Sequence, residues 1–260
     1  MSVITFTTDF GARDGFVGTM KGVILGINSA ARIVDLTHEI PPGDLRGGAF
    51  ALATSFRFFP KGTVHLAVVD PGVGTARRAI AVKTSRFFFV GPDNGVLSWA
   101  LAREDIVAIH ELQNTAFFLR PVSRTFHGRD VFAPAAAHLS RGVPLRRLGP
   151  ALEEIVRLPW PEPRRAGDQL RGEVVYVDRF GNAITNIDPG ALGRFSGAGF
   201  RVFRQGKRLC DVAECYAAVA AGHAVAIMGS TGFLEIAVNG GNASRQLNLP
   251  VGTVVSVRCR

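Results

Sequence analysis

Between residues 3 and 140, short β-rich runs alternate with helical segments, a pattern that argues for a parallel sheet with crossover helices. Residues 3–7 read as a first strand, ending in Thr8-Asp9-Phe10-Gly11. A helical stretch over 15–27 follows, with Asp14 placed to cap it. Residues 32–36 read as a second strand, and Asp44 opens a second helix that runs to 58 and is closed by Pro60. Residues 63–69 are β-branched and apolar, as a buried parallel strand requires, and end in Asp70-Pro71-Gly72-Val73-Gly74. Residues 79–83 and 86–90 form a hairpin or strand pair, 95–102 a short helix and 106–110 another strand. Residues 128–140 form an Ala-rich helix whose first turn holds Asp130. The expected architecture is an α/β domain with a mainly parallel sheet flanked by helices. Ligands bind such sheets outside the carboxyl ends of the strands, where Asp9 and Asp70 both fall.

The alternation stops near residue 156. Leu158-Pro159-Trp160-Pro161-Glu162-Pro163-Arg164-Arg165 is Pro-rich and cannot extend a helix. Residues 1–156 are therefore read as the α/β domain, 157–169 as a linker, and 170–260 as a smaller all-β, barrel-like domain. In the last part, strands are expected over 172–177, 183–187, 200–203, 224–228, 234–238 and 254–258, separated by Gly and Asn turns.

Composition narrows the function classes. The formal net charge of +9 attracts polyanions in general, but the basic residues are scattered. Arg77-Arg78, Arg146-Arg147 and Arg164-Arg165 are the densest groups, so no specific nucleic-acid partner is expected. The three cysteines, Cys210, Cys215 and Cys259, include no CxxC pair, which fits a reducing cytoplasm and argues against a zinc site. The N-terminal Met1-Ser2-Val3-Ile4-Thr5 reads as strand and not as a signal peptide, and no apolar run reaches membrane-spanning length.

Three segments could carry chemistry. Asp70 ends a buried strand and meets Arg77 seven residues later, across a glycine-rich turn that lets backbone approach a ligand. On the turn alone, Asp70 reads equally as a turn cap and Arg77 as a surface cation. His127 precedes a helix start, where backbone N–H groups create positive potential. With Asp70 and Arg77 it makes a coherent set: an arginine lowers the pKa of a nearby water, while Asp and His orient it and accept its proton, with no metal. Asp178-Arg179-Phe180-Gly181-Asn182 places Asp and Asn around a glycine, either as a ligand site or as an ordinary turn. Gly229-Ser230-Thr231-Gly232 and Asn239-Gly240-Gly241-Asn242 bracket a short strand and offer backbone donors. Asp9 is placed to bond both hydroxyls of a ribose, or else to cap its own turn. Neither a GxGxxG loop nor a GxxxxGK[ST] loop occurs, which favours a nucleoside ligand without a phosphate chain over NAD or ATP.

These segments together resemble the S-adenosyl-L-methionine hydrolases (adenosine-forming), or SAM hydroxide adenosyltransferases, relatives of the SAM-dependent chlorinase and fluorinase. The resemblance runs from Thr7-Thr8-Asp9-Phe10-Gly11 through Val69-Asp70-Pro71-Gly72-Val73-Gly74, Gly91-Pro92-Asp93-Asn94-Gly95, Phe126-His127-Gly128-Arg129-Asp130 and Asp178-Arg179-Phe180-Gly181-Asn182 to Asn239-Gly240-Gly241-Asn242. It implies that Asp70, Arg77 and His127 activate water and that Asp9 holds the ribose hydroxyls. It further implies that Asp178 contacts the methionine amino group, Asn182 the adenine or the adjoining methionine end, and Ser230 the methionine carboxylate. Tyr216 would face the adenine ring, and backbone groups of Val238, Asn239 and Gly240 would read its edge. Thr231 stands where the halide-using relatives carry an arginine. The resemblance implies S-adenosyl-L-methionine as substrate with no cofactor, and a homotrimer whose sites lie between subunits. Two other readings are a halogenase on the same scaffold and a non-catalytic SAM or adenosine binder. A halide needs a small dry pocket without a basic set, and Arg77 and His127 occupy that place, which favours water.

Overall fold

The computed structural model describes residues 2–193 and 199–259; Met1, included in the expected first strand segment, lies outside them. The chain divides into two compact units, Met1–Pro159 and Trp160–Arg260.

The first unit is built on a six-stranded sheet. Its strands are β1 (Val3–Thr8), β2 (Arg32–Thr37), β3 (Val64–Val68), β4 (Ala79–Thr84), β5 (Phe88–Pro92) and β6 (Ile106–Glu111), in the order β2-β1-β3-β5-β4-β6. The first four of that order run parallel, while β4 pairs antiparallel with both β5 and β6. Helices α1 (Phe16–Ile27), α2 (Leu45–Ser55), α3 (Ser98–Leu101) and α4 (Ala133–Ser140) complete the α/β layers. Successive strand residues point to opposite faces. Ile4, Phe6 and Leu66 join Met20 and Ile24 of α1 and the alanines of α4 in one core cluster. Thr5 and His65 point the other way, where His65 meets the Phe56 ring just beyond α2. Removing β1 and β3 from water on both faces is the main stabilising term here, at roughly 25 cal/mol per Å² of apolar surface.

Two helix starts differ from expectation. Asp14 makes no capping bond; Gly15 is the N-cap residue of α1. Asp44 does cap α2, accepting from the Gly47 amide at 2.9 Å. Residues 128–140 are not one α-helix: Gly128–Phe132 form a π-helical turn before α4. Pro134 explains the change. It has no N–H to donate to the Asp130 carbonyl, which accepts the Leu119 amide at 2.9 Å instead. The Ala133 amide reaches back to Gly128, one residue further than an α-helix would take it.

The second unit is an antiparallel, nearly closed sheet of β7 (Arg164–Ala166), β8 (Gln169–Val177), β9 (Ala183–Thr185), β10 (Phe200–Arg204), β11 (Lys207–Asp211), β12 (Ala224–Met228), β13 (Leu234–Val238) and β14 (Val254–Cys259). Their order is β11-β10-β14-β8-β9-β13-β12, with β7 paired to β8. A single parallel bridge from Val212 to Ala226 joins the two ends into a barrel. Within 157–169, read from the sequence as a linker, Arg164–Ala166 fold back on β8. Among the described residues no helix is long and apolar enough to cross a membrane.

Candidate active site

Adjacent strand ends deliver the first two acids. β1 and β3 are neighbours with Thr8 opposite Val68, so Asp9 and Asp70 leave the sheet on the same edge. The Gly91-Pro92-Asp93-Asn94-Gly95 segment braces that edge. Asn94 Nδ2 donates to the Val69 carbonyl at 2.8 Å, and buried Asp93 accepts from Arg78 Nε and the Val156 amide at 2.8 Å each. Gly91 must be glycine, because a β-carbon would lie 2.4 Å from the Ala67 carbonyl oxygen.

After Asp70 the chain turns tightly, with Thr75 Oγ1 donating to the Gly72 carbonyl at 2.7 Å. The turn brings Arg77 back over Asp70. Arg77 Nε lies 3.0 Å from both Asp70 oxygens, and its Nη2 lies 2.5 Å from Oδ2. The two side chains are only 11% and 6% exposed, so this ion pair is largely withdrawn from water. The third residue arrives from the loop before α4. Asp130 is fully buried and accepts from the Ser123 amide at 2.8 Å and from Arg129 Nε at 2.6 Å, which folds the loop onto the π-helical turn. His127 then meets Arg77, with Nδ1 2.8 Å from Nη2.

Arg77 thus bridges Asp70 and His127. A guanidinium only donates, so His127 Nδ1 accepts and the ring proton sits on Nε2. Electrostatics agree: burial, and then the charge of Arg77, hold the His127 pKa below the ordinary imidazole value, against the opposing pull of Asp70 and Asp130. The ring is a neutral imidazole near pH 7. The Arg77 guanidinium also lies 5.1 Å from the centre of the Phe132 ring, which fixes it from the core side. Asp9 accepts from the Gly43 amide at 2.8 Å.

The second unit gathers the other sequence-singled residues in two groups. Asp178 follows β8 and accepts from the Phe180 and Asn182 amides at 2.9 and 2.8 Å and from Asn182 Nδ2 at 3.0 Å. Near it stands a residue that the motifs did not flag. Glu235, the second residue of β13, is only 4% exposed and accepts a short hydrogen bond from the Tyr216 hydroxyl. Burial pushes the Glu235 pKa up, and the Asp178 charge adds to this while Tyr216 opposes it. Burial and the bond to Glu235 push Tyr216 to about 12. Gly229 makes room for the acid, since a β-carbon there would lie 2.1 Å from Glu235 Oε2. The sequence signal was a lone acid inside an apolar strand, Leu-Glu-Ile-Ala-Val, where burial is expensive unless a partner or ligand repays it.

Ser230, next to Gly229, is exposed, and Thr231 Oγ1 beside it is buried without a hydrogen-bond partner. Val238, Asn239 and Gly240 lie at the other end of β13, with Asn239 Nδ2 held by the Val219 carbonyl at 2.8 Å. Among the described residues no group of three or more His, Cys, Asp or Glu is arranged to hold a metal ion.

Comparison with known proteins follows the same division. Residues 4–149 match the SAM hydroxide adenosyltransferase N-terminal domain, and 172–256 its C-terminal domain. A Salinispora tropica protein named (R)-S-adenosyl-L-methionine hydrolase is 44% identical over 252 residues, covering 96% of this chain and 95% of that one. A protein named fluorinase from an Actinoplanes species is 30% identical, covering 98% of this chain and 97% of its own. A crystal structure of a conserved protein from Thermotoga maritima superposes with a TM-score of 0.92 at 39% identity, covering 100% of both chains.

Proposed function

The chain belongs to the SAM hydroxide adenosyltransferase family, and from that premise we propose that it hydrolyses S-adenosyl-L-methionine to adenosine and L-methionine. The observation that carries this reading is the Arg77 bridge between Asp70 and His127. The relatives' name specifies the (R) configuration at the sulfonium, and we take that epimer as the substrate here.

In this reading a water lies in line behind the ribose C5′. Its oxygen forms the new bond to C5′ as the C5′–S bond breaks and its electron pair returns to sulfur, which leaves as the neutral thioether of methionine. The sulfonium is already a good leaving group, so the protein supplies position and a more nucleophilic water. Asp70 takes the departing proton. Arg77 and the Nε2–H of His127 orient that water, and the Arg77 charge eases its deprotonation.

Asp9 would hold the ribose hydroxyls, and Asp178 with Glu235 the methionine ammonium, whose positive charge offsets two neighbouring carboxylates. Asn182 would steady the adenine or adjoining methionine end. Ser230 would meet the carboxylate, with the unpartnered Thr231 hydroxyl beside it in place of the halogenases' arginine. Tyr216 would face the adenine ring, and the main chain of Val238 to Gly240 would read its edge.

The candidate groups are divided between the two units, and from the family resemblance we take the assembly to be a homotrimer whose sites are completed by neighbouring subunits. Each half also shows a large exposed aromatic beside its polar groups. Phe16, 47% exposed, packs tilted against Phe10 and edge-on against Phe126, and Phe180, 77% exposed, lies between Asp178 and Asn182 in the chain. We place the enzyme in the cytoplasm, working without metal or cofactor.

The deciding experiment incubates the protein with both sulfonium epimers in chloride buffer containing EDTA. Adenosine and methionine are the expected products. A halogenated deoxyadenosine would make it a halogenase, and binding without turnover would make it a sensor. Mixing Asp70→Ala and Asp178→Ala subunits should restore activity if sites are shared between chains; activity absent from every mixture would refute the shared site.

A further inference from the structure

We propose that His38, oriented by Asp35, is a positioning residue that sets the turn carrying Asp9 and thereby the grip on the nucleoside. The proposal rests on the reading of Asp9 as the ribose ligand. β1 ends at Thr8, and the chain then turns through Asp9, Phe10 and Gly11. His38, just beyond β2, holds this turn at both ends. Its Nδ1 lies 2.8 Å from Thr8 Oγ1, and its carbonyl accepts the Gly11 amide at 2.8 Å.

Thr8 Oγ1 accepts the Phe10 amide at 3.3 Å and shares a second hydrogen bond with His38 Nδ1. On the other side of the ring, Nε2 stands 3.0 Å from Asp35 Oδ1, while Asp35 Oδ2 takes Lys21 Nζ at 2.6 Å. Thr8 is fully buried and His38 is 9% exposed, so water does not readily replace these partners. The edge of the His38 ring also meets the Phe6 ring, at a centroid distance of 6.1 Å. Asp35, itself paired with Lys21 at the surface, thus flanks the outer nitrogen of a buried ring. The ring in turn holds the residue before Asp9. Groups that must face a ligand to within about half an ångström need such backing.

The test measures adenosine binding by calorimetry on the full chain, with steady-state kinetics and melting temperature beside it. His38→Ala and Thr8→Val should each raise the adenosine Kd and KM about three- to tenfold, the worth of one hydrogen bond, with kcat changing less. His38→Asn, whose side-chain oxygen can accept from Thr8 near the place of Nδ1, should restore Kd to within about twofold. Asp9→Ala is measured alongside. If it weakens adenosine binding while His38→Ala does not, the positioning role is overturned and the ribose assignment stands. If Asp9→Ala leaves Kd unchanged, the ribose assignment fails and the proposal with it. A lower melting temperature with unchanged Kd in folded His38→Ala would give the chain a structural role only, which also overturns it.

Discussion

A β-carbon at Gly74 would sit 2.3 Å from the carbonyl oxygen of Arg124, so the Asp70–Arg77 turn and the His127 loop touch where only glycine fits. Gly74 also adopts a φ of +77°, which other residues resist. Gly74→Ala should therefore push the His127 loop away from Arg77. The expected result is a fall in kcat of at least about tenfold, as a misplaced catalytic group produces, with a stability loss of about 1–3 kcal/mol. Stopped turnover assays and thermal melts of the variant check both. Wild-type kcat would show that the contact does not position His127.

Asp70→Ala and His127→Ala should each slow turnover by roughly a hundredfold or more, the first by losing the proton acceptor and the second by losing the Nε2–H that orients the water. Substrate affinity should change far less. Arg77→Lys should cost nearly as much, because an ammonium cannot reproduce the planar fork that meets Asp70 and His127 together. Single-turnover rates and substrate Kd values separate chemistry from binding, and unimpaired chemistry in the two alanine variants would remove those residues from the mechanism.

The pH profile follows from the same bridge. His127 accepts from Arg77 only while neutral, and its pKa is held below 6.5 by burial and by Arg77. Activity should hold as pH falls to 6.5 and decline only below it, as protonation of Nδ1 sets two donors against each other. The logarithm of kcat/KM against pH reads this directly. An acid limb centred above pH 6.5 would contradict it.

His65 predicts an acid sensitivity of folding unrelated to catalysis. It is fully buried among Phe56, Phe59, Phe87 and Phe89, its Nδ1 is 2.7 Å from Thr5 Oγ1, and burial lowers its pKa from 6.5 to about 3. The unfolded chain takes up this proton first. The stabilisation from keeping His65 neutral is complete above pH 6.5 and is lost as pH falls from there toward 3. Denaturant unfolding should show His65 contributing up to about 1.4 kcal/mol of lost stability per pH unit in that window. His65→Asn should be less stable at pH 7.5 but show a shallower decline; an unchanged slope would exclude His65 as its source.

Strand ends carrying Asp9 and Asp70 were legible because each buried strand is a β-branched, mostly apolar run and its first acidic residue marks the exit. The approach of His127 to Arg77 was not written in any local pattern. It depends on Asp130 folding a loop and on Pro134 releasing a carbonyl, both tertiary effects. Glu235 stands out in the sequence only as a lone acid in an apolar strand, and the Tyr216 contact reveals what the acid meets. β7 and β11 were missed for different reasons. Prolines before Arg164 hid a two-residue turn at Gly167-Asp168. β11 is mostly polar, and its signal was the turn at Gln205 and Gly206, both with positive φ.

Among the described residues the Val212–Ala226 bridge gives the second unit's barrel a clasp in place of a full ladder. Cys210 of β11 and Ala226 of β12 share one core cluster, so side-chain packing carries the closure that ladder hydrogen bonds do not. The hoop's join is therefore sensitive to side-chain volume at those two positions.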